Sequence, residues 1–203
     1  LKLIEDNERD KLTGLLNRKT FDDKLMSILQ TSRRASLARS EQGQPERRQN
    51  DGGSCYWLAV LDIDHFKRIN DTYGHLYGDE VLILMANIMQ RSFRRTDLLF
   101  RYGGEEFVVV LKTSATEDAP SVFERFRQNM ERYNFPQVGQ VTVSVGFTQI
   151  QDSEIVAVVI TRADRALYYA KEHGRNQIRC YETLIAAGEL TAPEKRFGDI
   201  ELF

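Results

Sequence analysis

The stretch 97–111, DLLFRYGGEEFVVVL, does most to constrain the fold. Two apolar runs of strand length flank a glycine pair, and glycine takes readily the positive φ that a two-residue hairpin turn requires. An antiparallel hairpin is therefore predicted, with Gly103 and Gly104 in the turn and Glu105 and Glu106 opening the outgoing strand. Upstream, YWLAVLDI is a continuous apolar run closed by acid, as expected of a central strand buried on both faces. Asp62 and Asp64 sit at its C-terminal edge.

Amphipathic stretches alternate with these runs. NRKTFDDKLMSILQ aligns Phe21, Leu25 and Ile28/Leu29, and GDEVLILMANIMQRSF aligns Val81, Leu84/Met85 and Ile88/Met89. VFERFRQNM is a further helix, and one from about Ser153 to Glu172 turns Val156, Val159/Ile160, Ala163, Ala166/Leu167 and Ala170 inward. VTVSVGFT alternates strictly and predicts a strand with one covered face, while NQIRCY is a short closing strand. The order implies an α/β fold with a mixed central sheet flanked by helices. Thr31 to Ser54, with five arginines between Arg33 and Arg48 and NDGG at its end, reads as a polar loop insertion. The segment Glu182 to Phe203 mixes Gly, Pro and charge and suggests no element.

A formal net charge of -2 removes the bulk attraction that nucleic acid or an anionic membrane would need. Cys55 and Cys180 match no metal or redox spacing and read as reduced thiols, so a cytoplasmic domain is expected. No apolar stretch approaches the roughly 20 residues of a membrane span. The charged, helical opening LKLIEDNERDK suggests that a sensory domain or other segment lies upstream.

The acids carry the chemistry. If the strands bearing Asp62 and Glu105 are neighbours, Asp62, Asp64, Glu105 and Glu106 gather at one sheet edge, where like charges repel unless a cation sits among them. Oxygen donors without His or Cys suit Mg²⁺ or Mn²⁺ rather than Zn²⁺. Magnesium usually arrives with phosphates, and Lys67, Lys171 and Arg175 are candidate phosphate cations.

Four blocks in order, DKLTGLLNR, LDIDHFKRINDTYGHLYGDEVL, RYGGEEF and ADRALYYAKEHGRNQ, resemble the GGDEF family of diguanylate cyclases, in the variant with Glu at the third motif position. The resemblance runs from about Asp10 to Tyr181. It implies a catalytic domain over 10–181 with the insertion at 31–54, the end of an upstream signalling helix or linker over 1–9, and a C-terminal tail over 182–203. It also implies a sheet akin to the polymerase palm and the class III nucleotide cyclases. The activity implied is condensation of two GTP into cyclic di-GMP and two pyrophosphates by a homodimer, each subunit presenting one GTP to the other.

Carried onto this chain, the family pattern makes Asp62 and Glu105 magnesium ligands with the Ile63 carbonyl, and sets Glu106 beside a second metal or the attacking 3′-hydroxyl. Gly103 and Gly104 let the backbone lie against the nucleotide. Asn70 and Asp79 match the guanine-binding positions, and a carboxylate at Asp79 can accept from guanine N1–H and N2–H. The amides of His65 and Phe66, with Lys67, Lys171 and Arg175, fit the triphosphate. Arg94 and Asp97 of RRTD match the family's RxxD inhibitory site for product, with Arg125 as a secondary contact. The competing expectation is a catalytically silent cyclic di-GMP receptor that keeps the fold and the RxxD site.

Overall fold

The computed structural model describes residues 7–41, 55–113, 118–151 and 154–191, with backbone only for 32–41. Helix α1 spans Arg18–Glu41, and strand β1 spans Cys55–Ile63. Helices α2 (Phe66–Tyr73) and α3 (His75–Ser92) follow, then the hairpin β2 (Leu98–Gly103) and β3 (Glu106–Thr113). Next come α4 (Asp118–Arg132), the short pair β4 (Asn134–Phe135) and β5 (Gly139–Gln140), β6 (Val143–Ile150), α5 (Val156–Glu172), β7 (Ile178–Cys180) and α6 (Tyr181–Ala186).

Five strands form one mixed sheet in the order β2-β3-β1-β6-β7. Strand β1 lies at its centre, antiparallel to both β3 and β6, and only the β6–β7 pair is parallel. Alternate β1 residues point to opposite faces. Trp57, Ala59, Leu61 and Ile63 meet the α3 and α4 side, where Met85, Phe123 and Phe126 are fully buried. Leu58 and Val60 meet α1 and α5 through Phe21, Leu25, Val159 and Leu167. Each large apolar side chain so buried contributes about 1.5–3 kcal/mol, and the two layers fix which way the sheet faces.

Several expectations change. The loop predicted from Thr31 is helical to Glu41, because α1 meets neither Gly nor Pro there and its Ala, Leu and Arg residues favour helix; residues 42–54 lie outside the described residues. Strand β6 is buried on both faces rather than one. Its polar-looking face, Ser144, Gly146 and Thr148, is small rather than solvent-facing, so α5 lies directly on it. A Cβ on Gly146 would come within 2.0 Å of the Leu167 nitrogen and 2.2 Å of the Ala163 carbonyl oxygen. The helix predicted from Ser153 begins at Val156, and Ser153 lies outside the described residues. Of the segment Glu182 to Phe203, residues 182–186 belong to α6, where Leu184 is buried and the Glu182 carboxylate accepts from Thr148 Oγ1 at 2.5 Å and from the Gln149 N–H, and residues 192–203 lie outside the described residues. Among the described residues no helix is long and apolar enough to cross a membrane.

Candidate active site

The hairpin turn is shifted by one residue from expectation. Gly103 ends β2 paired with Glu106, and Gly104 and Glu105 make the turn, with Gly104 at φ 34°. The cause is a bulge between Arg101 and Gly103, which lets Tyr102 go unpaired and moves the register forward. Glu105 is therefore a turn residue, and Glu106 opens β3 directly opposite Asp62 of β1. The strands bearing Asp62 and the glutamates are neighbours, and they bring Asp62 and Glu106 side by side on the α5 face, with Glu105 at the tip beyond.

Helix α5 supplies the cation. Lys171, in its last turn, places Nζ 2.8 Å from Asp62 Oδ2. Asp62 is nonetheless a buried carboxylate at the end of an apolar strand. Burial pushes its carboxyl above the usual range and nearby Asp64 adds to this, against the opposing pull of Lys171 and Arg175. Glu105 is raised by burial and then by Asp62 and Glu106. Glu106 is raised by burial, Asp62 and Asp164, with Lys171 and Arg18 opposing. In all three, burial is the largest cause and neighbouring carboxylates add to it.

The donor set fits a hard divalent cation, because all three side chains offer oxygen and a Lys ammonium already leans on one of them. Among the described residues no three His, Cys, Asp or Glu side chains close into a metal cage by themselves. Asp64, counted with the other acids from sequence, is engaged elsewhere: it accepts from Thr142 Oγ1, Ser144 Oγ and the Asn176 N–H.

The nucleotide positions frame this cluster. His65 adopts a left-handed φ of 59° and precedes α2 without a side-chain cap, so the first-turn amides at Phe66 and Lys67 are left for another acceptor. Lys67 and Arg175 are exposed. Asn70 lies against α3: a Cβ on Gly78 would fall 1.9 Å from Asn70 Oδ1, so only glycine admits that side chain next to Asp79. Apart from this site, Arg94, Asp97 and Arg125 line one pocket together with Leu111, Lys112, Thr113, Asp118 and Val122. The Asp97 carboxylate accepts from the Arg94 backbone N–H at 2.8 Å, which caps the turn between them.

Sequence reasoning missed four residues. Asp164, seven positions before Lys171 on one helical face, acts on Glu106, as does Arg18, whose guanidinium lies 4.6 Å over the Tyr102 ring. The i, i+7 spacing contained a signal for Asp164. Arg101 donates to the Gly104 carbonyl from Nε and Nη2 at 3.2 and 2.9 Å and to Asp10 from Nη1 at 3.1 Å. No local pattern pairs Asp10 with Arg101, since they lie 91 residues apart.

The sequence matches the family described as diguanylate cyclase, GGDEF domain, over residues 7–177. It is 40% identical over 172 residues to diguanylate cyclase DgcP of Pseudomonas aeruginosa, covering 83% of this chain and 23% of the relative. Diguanylate cyclase DgcM of Escherichia coli is 36% identical over 169 residues, covering 83% and 37%. The chain thus spans about a quarter to two fifths of these curated relatives. Among solved structures, the GGDEF domain of DgcB from Caulobacter crescentus in complex with c-di-GMP superposes with a TM-score of 0.68 at 36% identity, covering 86% of this chain and 96% of that one. A glycine-tipped hairpin that sets two glutamates beside the aspartate of the central strand, in a fold these domains share, places the chain in the GGDEF family of diguanylate cyclase domains.

Proposed function

We propose that this chain is an active diguanylate cyclase that joins two GTP into cyclic di-GMP, releasing two pyrophosphates, in a homodimer. The observation that carries the reading is the Asp62–Glu106 register on adjacent central strands, with Glu105 at the turn and Lys171 bonded to Asp62. Asp62, Glu105 and the Ile63 carbonyl would hold magnesium or manganese, which when bound neutralises charge on the α-phosphate and favours ionisation of the attacking hydroxyl. Asn70 and Asp79 select guanine. The amides of His65 and Phe66 with Lys67, Lys171 and Arg175 take the triphosphate, and Gly103 and Gly104 leave room for backbone against the nucleotide. Glu106, with its carboxyl held upward, accepts the proton of the incoming 3′-hydroxyl. That oxygen forms a bond to the α-phosphorus of the partner's GTP as the bond to pyrophosphate breaks, and the reciprocal step closes the ring.

The pocket holding Arg94, Asp97 and Arg125 is the proposed product site, since guanidinium forks suit phosphates and guanine edges. The short span relative to its curated relatives supports a longer protein with an input domain. Incubation with GTP and Mg²⁺ followed by mass analysis tests the reading: cyclic di-GMP with two pyrophosphates per product is expected, and cyclic di-GMP binding without turnover would make the chain a receptor instead.

A further inference from the structure

Asp64 is the acid this chemistry leaves unused. It is 4% exposed, and its hydrogen bonds fill it from two separate segments. Oδ1 accepts from Ser144 Oγ at 2.6 Å, while Oδ2 accepts from Thr142 Oγ1 at 2.7 Å and from the Asn176 N–H at 3.0 Å. Its own N–H donates to the Thr142 carbonyl at 3.0 Å. A carboxylate taken out of water is tolerated only when its lone pairs are met in this way.

Backbone strain gathers around the same group. Among the described residues, four that are not glycine have positive φ: His65, Gln137, Arg175 and Asn176. His65 follows Asp64 directly, Asn176 is bonded to it, and Arg175 precedes Asn176. Non-glycine residues stay left-handed only where their surroundings over-determine them, and such residues concentrate at functional sites. Here the determinants are visible. The Asn176 side chain accepts from Arg127 Nη1 and donates to Glu131 Oε1, each at 2.7 Å, and the Arg175 N–H donates to the Ala170 carbonyl at 2.9 Å.

We propose that Asp64 is a positioning residue for the triphosphate: it locks the turn at 65–67 to the α5 exit at 171–175, so that both phosphate-binding segments keep one register. The role rests on the cyclase reading of the site. Asp64 acts through accepted hydrogen bonds, neither as a metal ligand nor as a charge aimed at substrate. That distinction has a chemical consequence. A carboxamide can keep the bonds from Thr142 and Asn176 on its oxygen while its NH₂ donates to Ser144, because a hydroxyl can reverse its role and a backbone N–H cannot. A methyl group can keep none of them.

The test uses the whole chain as wild type, Asp64→Asn, Asp64→Ala, Arg175→Ala and the Asp64→Ala/Arg175→Ala double variant. Affinity for a non-hydrolysable GTP analogue with Mg²⁺ is read by calorimetry, and exchange of the Asn176 amide by NMR. Asp64→Ala is expected to weaken the analogue by about tenfold, as loss of a buried polar partner does. Asp64→Asn should restore wild-type affinity, and the double variant should bind no more weakly than Arg175→Ala. Equal loss in Asp64→Asn and Asp64→Ala, or additive losses in the double variant, overturns the proposal. Should Asp64→Ala not fold, the Asn176 amide decides: protection in both wild type and Asp64→Asn supports it, and free exchange in either one overturns it. Neither readout needs turnover. A wild-type chain that binds the analogue but makes no cyclic di-GMP would therefore sink the cyclase reading and leave the positioning role standing.

Discussion

Asp62 shows how function opposes stability at a single residue. It lies one residue before the end of the central strand in a buried position, and its carboxyl is raised despite the Lys171 contact. A carboxyl raised on folding makes the folded chain bind more protons than the unfolded one. Its stabilising contribution is full below the ordinary carboxylate range, about pH 4, and is lost as pH rises through the raised folded value. Asp62→Asn should therefore raise Tm at pH 7 without divalent cations, by roughly 2–4 °C if the gain is near 1 kcal/mol, and should bring no gain at acidic pH. On its proposed role as a metal ligand, the same variant should lose at least about a hundredfold in turnover, since such a ligand is worth several kcal/mol in the transition state. Calorimetry at two pH values with a product assay checks both, and a lower Tm would mean that the Lys171 pair outweighs burial. Asp79 allows a second prediction at this scale. Asp79→Asn turns a donor toward guanine N1–H, a mismatch of about 1–3 kcal/mol, so GTP affinity should fall roughly tenfold in titration with an analogue.

Among the elements, α5 and the hairpin position the acids. Helix α5 approaches β6 so closely over Gly146 that backbone meets backbone, and this contact sets the height of Lys171 above Asp62. Gly146→Ala forces the helix outward. It should cost about 1–3 kcal/mol or more, as overpacking does, and lower Tm by roughly 2–4 °C per kcal/mol. Thermal unfolding reads the loss, and an unchanged Tm would show that the helix yields freely. The hairpin is held from the other side. Arg101 ties the Gly104 carbonyl, one residue before Glu105, to Asp10 of the N-terminal turn. Leu16 extends that attachment by accepting from the Arg101 N–H and donating to the Leu99 carbonyl. The hairpin tip is thereby anchored to the N-terminal turn.

For the whole molecule, the two sites lie in separate places on one scaffold. The carboxylates occupy one end of the central strands, and the Arg94–Asp97–Arg125 pocket is formed where the β2 approach, the end of β3 and α4 meet. In the proposed homodimer, a product bound there would act by favouring an arrangement in which the paired subunits do not meet, because a ligand that binds all arrangements equally shifts none. Arg94→Ala should leave the initial rate nearly intact while product accumulates past the level at which wild type stalls. On the proposed homodimer, specific activity should rise with protein concentration, because two chains would then make one catalytic unit. Progress curves at several enzyme concentrations test both expectations. A variant that stalls where wild type does would remove the pocket from regulation.

Much of this was legible in the residues themselves. The glycine-tipped hairpin, the acid-ended apolar strand and the helical stripes are local signals, because their periods of 2 and 3.6 follow from backbone geometry alone. They were enough to place Asp62 beside the glutamates once strand adjacency was assumed. Other features depend on which elements meet. The one-residue shift of the turn comes from a bulge at Tyr102, which no propensity marks. Burial of both β6 faces comes from α5 settling on Ser144, Gly146 and Thr148, residues that read as solvent-facing until a helix covers them. The parting of Asp64 from its neighbouring acids was decided by Thr142, Ser144 and Asn176, the last lying 112 residues away along the chain. Sequence determines which groups are available and how each segment alternates; only tertiary structure chooses their partners, because hydrogen bonding and burial act through space and take no account of separation along the chain.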